Sequence, residues 1–424
     1  MRGEGSRKIL IVGKAINGLR KISFWLNWHF VYNSGKKCMK NRIISLLEDL
    51  VKINSVNATL SGGPGEKEIS GFVAGYLANL GLNPEIQPKD SHTTNVVAII
   101  PGMNSDDSLL LNGHLDTVGV EGMDAPFDLR QAGDKLYGRG TYDMKGSIAI
   151  MLLLADYFTR HPPPISILFT FVADEEDRSA GMEYLVKRWL PEFFPLPFGG
   201  IFLEPTELDI GVSHKGVSWF EIEVFGKAAH GSRPSEGIDA ILPLRSALAE
   251  LNDIQSELLN RESDPLLGHA TLHASFISGG TALSVIPRKS RLQWERRTLP
   301  GESRTRIDSE LERVIQSVKR FPGDHHVKGR EIFVRPPYEV SKAAKILTRL
   351  QDASPDSKLV GLSFWSDSAL CGRAGIPSVL FGPIGHGAHA VDEWVSLKSL
   401  IRVYEILKKL IESFEVPMSY PDRR

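Results

Sequence analysis

Short, almost uninterrupted apolar runs recur along much of the chain and are separated by helical patterns. The runs are SLLLNG at 108–113, ISILFTFVA at 165–173, FGGIFLE at 198–204 and IPSVLFG at 376–382. Such runs are typical of strands that are covered on both faces of a sheet. Residues 144–158 are apolar on nearly every side, which predicts a buried helix. This alternation predicts an α/β fold with a mostly parallel sheet.

Residues 215–336 follow a different pattern of hydrophobic and polar positions. Alternation predicts strands at 217–225, 271–278, 291–297 and 331–334, and helical periodicity predicts helices at 238–259 and around 307–318. The resulting β-α-β-β-α-β order is ferredoxin-like. Because the apolar α/β pattern resumes at Pro377, we predict a small α+β domain at 215–336. It would be inserted into a larger domain formed by residues 39–214 and 337–424.

Residues 1–38 differ in composition from the rest of the chain. They are basic and rich in aromatic residues, and their longest uncharged stretch, residues 22–35, is too short and too polar to span a bilayer. No small-residue cleavage site follows it, which disfavours a secretory signal and leaves a transit peptide or a surface-binding helix open. The first amphipathic helix is predicted to begin at Met39. We therefore expect Met39 to be the native start and leave residues 1–38 out of the fold prediction.

The composition is that of a soluble globular protein of two or three domains, with 424 residues, 42% of them hydrophobic and 24% charged. The net charge of −1 combines +8 over residues 1–40, which hold nine Lys/Arg and one Glu, with −9 over the remainder. A body with that charge has no overall attraction to nucleic acid or to an anionic membrane, and we expect neither as a partner. The two cysteines, Cys38 and Cys371, are too few for a disulfide framework, so we expect a cytoplasmic location.

Histidines and acidic residues follow the predicted strands of the α/β part. In chain order they are His114 and Asp116, Glu175 and Glu176, Glu204, and His389, with Asp143 in the turn before the buried helix. Ligands bind at the carboxyl ends of the strands in such sheets. Carboxylates that converge there repel one another and are desolvated, and divalent cations remove that conflict. Two histidines with several carboxylates suit zinc, cobalt or manganese.

Each of these residues also has an ordinary structural interpretation. Asp143 could cap the following helix, the pair Glu175 and Glu176 could be solvated surface, and His389 could lie in a simple loop. Their occurrence in this order, each time after a strand, favours the metal site. A serine hydrolase is disfavoured because no G-x-S-x-G elbow is present. A dinucleotide enzyme is disfavoured because GRGTYD lacks the last glycine of G-x-G-x-x-G.

Several segments resemble the motifs of the aminoacylase, acetylornithine deacetylase, succinyl-diaminopimelate desuccinylase and carboxypeptidase-G family. They are GHLDT, GRGTYDMKG, DEE, LEPT, KAAHGSRP and GAHAVDEW, and the resemblance spans about residues 40–415. The segments HKGVSWFEIEV, PLLG and ERRTLPGE are most similar to acetylornithine-deacetylase-like members. The resemblance implies a dinuclear zinc or cobalt hydrolase that cleaves an amide next to a carboxylate. It also implies that the inserted domain is a lid and dimerisation module.

The resemblance implies a role for each residue at the strand ends. The implied ligands are His114 and Glu204 for one metal ion, Glu176 and His389 for the other, and Asp143 as the bridge between them. Asp116 would accept a hydrogen bond from His114 and fix its tautomer. Glu175 would be the general base that takes a proton from water and returns it to the leaving amine.

The resemblance also implies roles in the inserted domain. His230 would donate a hydrogen bond to the oxyanion in the partner subunit's active site. The turn at Gly279 and Gly280 would receive the substrate carboxylate, and Arg297 would pair with that group. Ser284 stands where many relatives have Asn, which leaves the substrate open. The ordinary alternatives are a turn histidine for His230 and an edge-strand charge for Arg297.

The resemblance implies a homodimer, and together with the residues at the strand ends it predicts a hydrolase of small N-acyl amino acids, most like acetylornithine deacetylase and therefore of arginine biosynthesis. Desuccinylase, general aminoacylase and metallo-dipeptidase or carboxypeptidase activities remain open, because an intact ligand set does not distinguish them. A non-catalytic binding protein on the same fold is the remote alternative, since a fold does not determine a function.

Overall fold

The computed structural model describes residues 35–90, 93–193 and 195–415, without the side chains of 35–38 and 104–106. Its helices are α1 (Gly35–Lys52), α2 (Ala58–Ser61), α3 (Lys67–Asn79), α4 (Gly146–Arg160), α5 (Ala180–Tyr184), α6 (Leu244–Leu259), α7 (Arg304–Lys319), α8 (Lys345–Ala353), α9 (Ser368–Arg373) and α10 (Leu397–Glu412). Its strands are β1 (Glu85–Pro88), β2 (Thr94–Ile100), β3 (Asn104–His114), β4 (Arg130–Ala132), β5 (Lys135–Tyr137), β6 (Ile165–Val172), β7 (Gly199–Phe202), β8 (Ile210–His214), β9 (Gly216–Phe225), β10 (Thr271–Gly279), β11 (Lys289–Thr298), β12 (His326–Arg335), β13 (Tyr338–Glu339), β14 (Leu359–Leu362), β15 (Ser378–Leu380), β16 (Gly385–His386) and β17 (Trp394–Ser396).

A nine-stranded sheet forms the centre of the α/β part, in the order β1-β2-β6-β3-β7-β15-β8-β13, with β14 also paired to β8. The central strands β6, β3, β7 and β15 are parallel, which confirms the predicted α/β fold class. The outer strands differ from this prediction, because β2 runs antiparallel to β6 and β8 runs antiparallel to β15. The carboxyl ends of the central strands therefore share one edge, where the predicted ligands follow.

Helix α4 is the buried helix that the sequence predicts. Residues 146–156 are all buried, and the helix packs against α1 and α10 as well as against the sheet. Its largely apolar surface needs this cover on every side. The helix begins at Gly146 rather than at Met144, because a π-type turn at Thr141–Lys145 precedes it. That turn carries Asp143 into the site.

A separate four-stranded sheet, in the order β10-β11-β9-β12, packs with α6 and α7 and is termed the inserted unit below. Its core includes Phe220, Ile222 and Val224 of β9, which confirms the predicted face of that strand. The ferredoxin-like order is also confirmed. Helix α6 begins at Leu244 and not at 238, because the Asp239 carboxylate accepts backbone N–H groups in a preceding turn.

The start of the first helix, the lengths of the helices and the state of Cys371 bear on the predictions for the N-terminus, the membrane and the cysteines. Helix α1 begins at Gly35, earlier than the predicted start at Met39. The predictions for residues 1–34 lie outside the described residues. No helix among the described residues has both the length and the apolar character that crossing a bilayer requires. Cys371 is buried and free.

Candidate metal centre

The structure brings the five predicted ligands together at the carboxyl ends of β3, β6 and β7. They form two groups, His114 with Asp143 and Glu204, and Asp143 with Glu176 and His389. In each group one ligand atom per residue lies within 4.8 Å of the others. The two groups share Asp143, so this carboxylate occupies the position expected of a bridge.

The two oxygens of Asp143 face different histidines. Its Oδ1 lies 2.9 Å from Nε2 of His114, and its Oδ2 lies 3.6 Å from Nε2 of His389. The same Nε2 of His389 lies 2.9 Å from Oε2 of Glu176. Each oxygen of Asp143 is thus available to a different group, which is what a carboxylate between two ions requires.

The carboxylates at this centre are buried and repel one another, which favours the binding of cations. Burial raises the pKa of Glu204 to about 8, and repulsion from Asp143 adds to the shift. Burial, followed by the same repulsion, also raises the pKa of Glu176, whose buried Oε1 has no hydrogen-bond partner among the described residues. Hydrogen bonding of its ring N–H to Asp143 and Glu176 raises the pKa of His389 to about 10. Divalent ions relieve this repulsion, and imidazoles with carboxylates are donors that Zn²⁺ and Co²⁺ accept. The residues therefore fit a dinuclear site.

Asp116 holds the loop that follows β6. Its carboxylate accepts the backbone N–H of Glu175 at 3.1 Å and of Glu176 at 3.0 Å, and Nδ2 of Asn57 at 2.9 Å. The predicted hydrogen bond from His114 goes instead to the backbone carbonyl of Asp116 at 3.0 Å, with the carboxylate Oδ1 at 3.6 Å. A carbonyl only accepts, so Nδ1 of His114 carries a proton, which leaves Nε2 as the ring nitrogen available to a metal ion.

Glu175, the predicted general base, lies half-buried beside these groups. Burial raises its pKa well above the ordinary value, and repulsion from Glu204 raises it further. A raised pKa brings a carboxylate closer to the range in which it can both accept and return a proton. The position and the environment of Glu175 are therefore compatible with acid–base work.

Sequence reasoning missed three residues around the centre. Asn57 donates through Nδ2 to Asp116 and, at 3.1 Å, to Asp174, while its Oδ1 caps α2. Asp367 is buried directly before α9, and burial raises its pKa to about 7. Glu393 binds the loop that carries Asp143. Only Glu393 lies in one of the matched motifs, GAHAVDEW. Neither motif spacing nor a place after a predicted strand marks Asn57 or Asp367 as part of the site.

His230 lies on an exposed loop of the inserted unit. Its Nδ1 lies 2.7 Å from the hydroxyl oxygen of Ser232 and accepts the backbone N–H of the same residue at 3.1 Å. The neutral ring then carries its proton on Nε2. The next residue, Gly231, donates its N–H to the carbonyl of Ser284 at 2.7 Å, which brings these two predicted segments together. Within the described residues, the polar contacts of His230 do not reach either ligand group.

Arg297 and the glycine turn lie at opposite ends of the paired strands β10 and β11. Arg297 is opposite Thr271, whereas Gly279 is opposite Ser290. At about 3.4 Å per residue the separation is roughly 24 Å. One chain therefore does not bring Arg297 together with Gly279 and Gly280 on a single carboxylate.

Arg297 lines a cleft between the inserted unit and the α/β part. The cleft has a volume of about 320 Å³ and is lined by Lys215, Thr271, Arg297, Ser363 and Phe364. Arg297 also donates from Nε to Glu295 at 2.6 Å. Burial lowers the pKa of Lys215, and repulsion from Arg297 adds to this effect. The cleft thus places two basic side chains close together, an arrangement that suits the binding of an anionic group.

The sequence profile of peptidase family M20/M25/M40 matches residues 110–413. Acetylornithine deacetylase of Buchnera aphidicola subsp. Schizaphis graminum is 29% identical over 386 residues, covering 88% of this chain and 97% of its own. Acetylornithine deacetylase of Proteus mirabilis is 30% identical over 387 residues, covering 88% and 96% respectively.

Solved structures share the fold. A tripeptidase of Staphylococcus aureus is 20% identical with a TM-score of 0.69, and the match covers 88% of this chain and 98% of that one. The Bacillus subtilis YXEP protein, a dinuclear metal-binding peptidase of the M20 family, is 17% identical with a TM-score of 0.65, and covers 89% and 98%. The resemblance drawn from the motifs is confirmed. The chain is a metallohydrolase that belongs to peptidase family M20/M25/M40.

Proposed function

We propose that this protein hydrolyses the amide bond of N-acyl amino acids, with N-acetylornithine as the first substrate to test. The observation that carries the proposal is the pair of ligand groups around Asp143, with Glu175 beside them. Relatives named acetylornithine deacetylase match along 88% of the chain, which supports this substrate class.

Two Zn²⁺ or Co²⁺ ions are the proposed cofactors. His114, Asp143 and Glu204 would hold one ion, and Asp143, Glu176 and His389 the other. When bound, such ions polarise the substrate carbonyl and lower the pKa of water. Glu175 then accepts a proton from the attacking water and delivers it to the amine that leaves as the C–N bond breaks.

The oxyanion that forms during this attack needs a hydrogen-bond donor. We assign that donor to Nε2–H of His230, because Ser232 occupies the Nδ1 side of the ring. His230 is exposed and has no polar contact with the ligand groups of its own chain among the described residues, so the proposed target is the site of a partner subunit. The edge strand β10 supports such a homodimer, since Phe276 and Ile277 on it are exposed, as is the nearby Leu283.

Side chains of the inserted unit would select the substrate. Arg297 would bind the substrate carboxylate in the cleft that Lys215 also lines, because a guanidinium binds a carboxylate bidentately. Gly279, Gly280 and Ser284 lie at the same end of the inserted unit as His230. They would act with His230 in the partner subunit's site.

The test uses the full chain, stripped of metal by a chelator and reloaded with Zn²⁺ or Co²⁺. Hydrolysis of N-acetylornithine is compared with that of N-succinyl-diaminopimelate, N-acetylmethionine and a dipeptide. We expect metal-dependent turnover with N-acetylornithine preferred, a result that would assign the protein to arginine biosynthesis. Preference for another substrate would replace the substrate assignment by desuccinylase, aminoacylase or dipeptidase activity. A chain that binds no metal would contradict the whole proposal.

A further inference from the structure

A buried carboxylate outside the two ligand groups holds the loop that carries Asp143. Glu393 is 1% exposed. Its Oε1 accepts the backbone N–H of Tyr142 at 2.8 Å and of Asp143 at 3.1 Å. Its Oε2 accepts the backbone N–H of Gly140 at 2.8 Å and Nη1 of Arg139 at 2.8 Å. Both oxygens therefore serve two donors each, all from one loop.

The backbone around Glu393 fixes this arrangement. Strand β17 begins directly after Glu393 and pairs with β5, with Trp394 opposite Tyr137. The N–H of Gly138 also donates to the carbonyl of Glu393 at 3.3 Å. The loop that follows β5 thus starts beside Glu393. The pairing of β17 with β5 therefore fixes both Glu393 and the start of the loop. The carboxylate is thus held where it can accept the N–H groups of the loop.

Glu393 also belongs to the segment that carries His389. The turn at Gly387 packs against it so closely that a Cβ on Gly387 would lie 3.0 Å from the backbone of Glu393. Asp143 and His389 supply two of the three donors of one ligand group. The other group, with His114 and Glu204, includes Asp143 but not His389. Displacement of Glu393 would therefore disturb the two groups unequally.

We propose that Glu393 is a positioning residue that locks the Asp143 loop to the His389 segment and thereby sets the affinity of the ion held by Asp143, Glu176 and His389. The inference rests on the proposed metal centre. Glu393 touches neither substrate nor ion in this role. It acts by orienting Asp143 through the backbone and by fixing the distance between the two loops, and residues that orient ligands commonly contribute 10–100-fold to metal affinity.

The test is the Glu393→Gln substitution in the full chain. Glutamine keeps the size and shape of the side chain, but its NH₂ group would face two N–H donors in either orientation, so half of the contacts are lost. Metal-free protein is titrated with Co²⁺, followed by calorimetry and by the visible absorption of the bound ion. We expect one ion to bind as in the wild type and the second about 10–100-fold more weakly. The matched control is Asp392→Asn, which removes one negative charge from the adjacent residue, whose side chain is 64% exposed.

Three results would overturn the inference. They are unchanged binding of both ions by Glu393→Gln, an equal loss of both ions, and the same selective loss in the Asp392→Asn control. If circular dichroism shows that Glu393→Gln does not fold, Glu393→Asp decides instead. Its shorter carboxylate keeps the charge but cannot reach both pairs of donors, so the same selective loss is expected, and unchanged affinity refutes the role. A wild-type chain that binds no ion would instead contradict the proposed function, and this inference with it.

Discussion

At the scale of single residues, carboxylate side chains around this centre accept backbone N–H groups of other acidic residues and so fix the backbone there. Asp116 accepts the N–H groups of Glu175 and Glu176, and Glu393 accepts that of Asp143. A carboxylate that accepts several backbone donors is held in one orientation, and so is the loop that donates. The positions of the ligands therefore depend on hydrogen bonds made behind them as well as on their own side chains.

Glu175→Gln tests the general base at this scale. Glutamine cannot take a proton from water, so we expect kcat to fall by about 10²–10⁴. Metal content, measured by elemental analysis, should stay at the wild-type value because Glu175 belongs to neither ligand group. Asp177→Asn, in the same loop, is the control and should retain activity. A Glu175→Gln enzyme with near wild-type kcat would rule out this base.

The predictable residues of the centre follow predicted strands or, in the case of Asp143, lie in the turn before the buried helix. His114, Glu176 and Glu204 lie at or just after the ends of central parallel strands. Parallel strands bring their carboxyl ends to one edge of the sheet, whatever the conformation of the connecting loops. Asn57 and Asp367 were missed because neither follows one of the predicted strands and neither lies in one of the matched motifs. Only the folded chain brings these two residues to the strand ends.

At the scale of elements, His214 joins the end of β8 to the start of α9. The ring is fully buried, with Nδ1 3.1 Å from the carbonyl of Lys215 and Nε2 3.1 Å from the hydroxyl of Ser368. Burial lowers the pKa of His214 to about 4. The carbonyl accepts the Nδ1 proton and the hydroxyl donates to Nε2, so the native contacts suit the neutral ring.

This burial predicts a pH dependence of stability. Between about pH 6.5 and pH 4 the unfolded chain protonates His214 and the folded chain does not, so the free energy of unfolding falls as the pH falls. At 1.36 kcal/mol per unit the contribution is roughly 3 kcal/mol. Urea unfolding of metal-free protein at several pH values measures it. His214→Asn should show a shallower slope than the wild type, and identical slopes would contradict the assignment.

Periodicity predicted most elements, and the differences have local causes. The central parallel strands and the order of the inserted unit follow from apolar runs and alternation. Helix α6 starts late because Asp239 caps a separate turn, which helical periodicity does not register. The antiparallel directions of β2 and β8 depend on how loops cross the sheet edges, and hydrophobic patterns carry no information on strand direction.

At the scale of the whole molecule, the inserted unit separates two sets of predicted substrate residues. Arg297 lies at the end of β11 that adjoins the α/β part, and His230 lies with Ser284 near the other end. A site that uses both sets needs two chains. The exposed edge of β10 is where the proposed second copy would pair.

Subunit mixing tests this arrangement. His230→Ala alone should lower kcat by about 10²–10³ with metal content unchanged. Co-expressed in equal amounts with Glu175→Gln, it should give about a quarter of wild-type activity, since half of the dimers are mixed and each mixed dimer has one intact site. Purification through two different tags isolates the mixed species. Activity no greater than the sum of the two separate variants would place His230 in the site of its own subunit.

The position of β15 in the large sheet determines when that sheet can be completed as the chain is synthesised. This strand comes late in the chain but lies between β7 and β8, which precede the inserted unit. The sheet of the inserted unit contains only strands from one continuous stretch of chain, β9 to β12, so it has all its strands once β12 has left the ribosome. The host sheet still lacks a central strand at that moment, and His389 has not been translated. A message truncated after residue 335 would therefore yield a chain with a complete insertion inside an unfinished host, exposed to proteases and unable to assemble the Asp143–Glu176–His389 group.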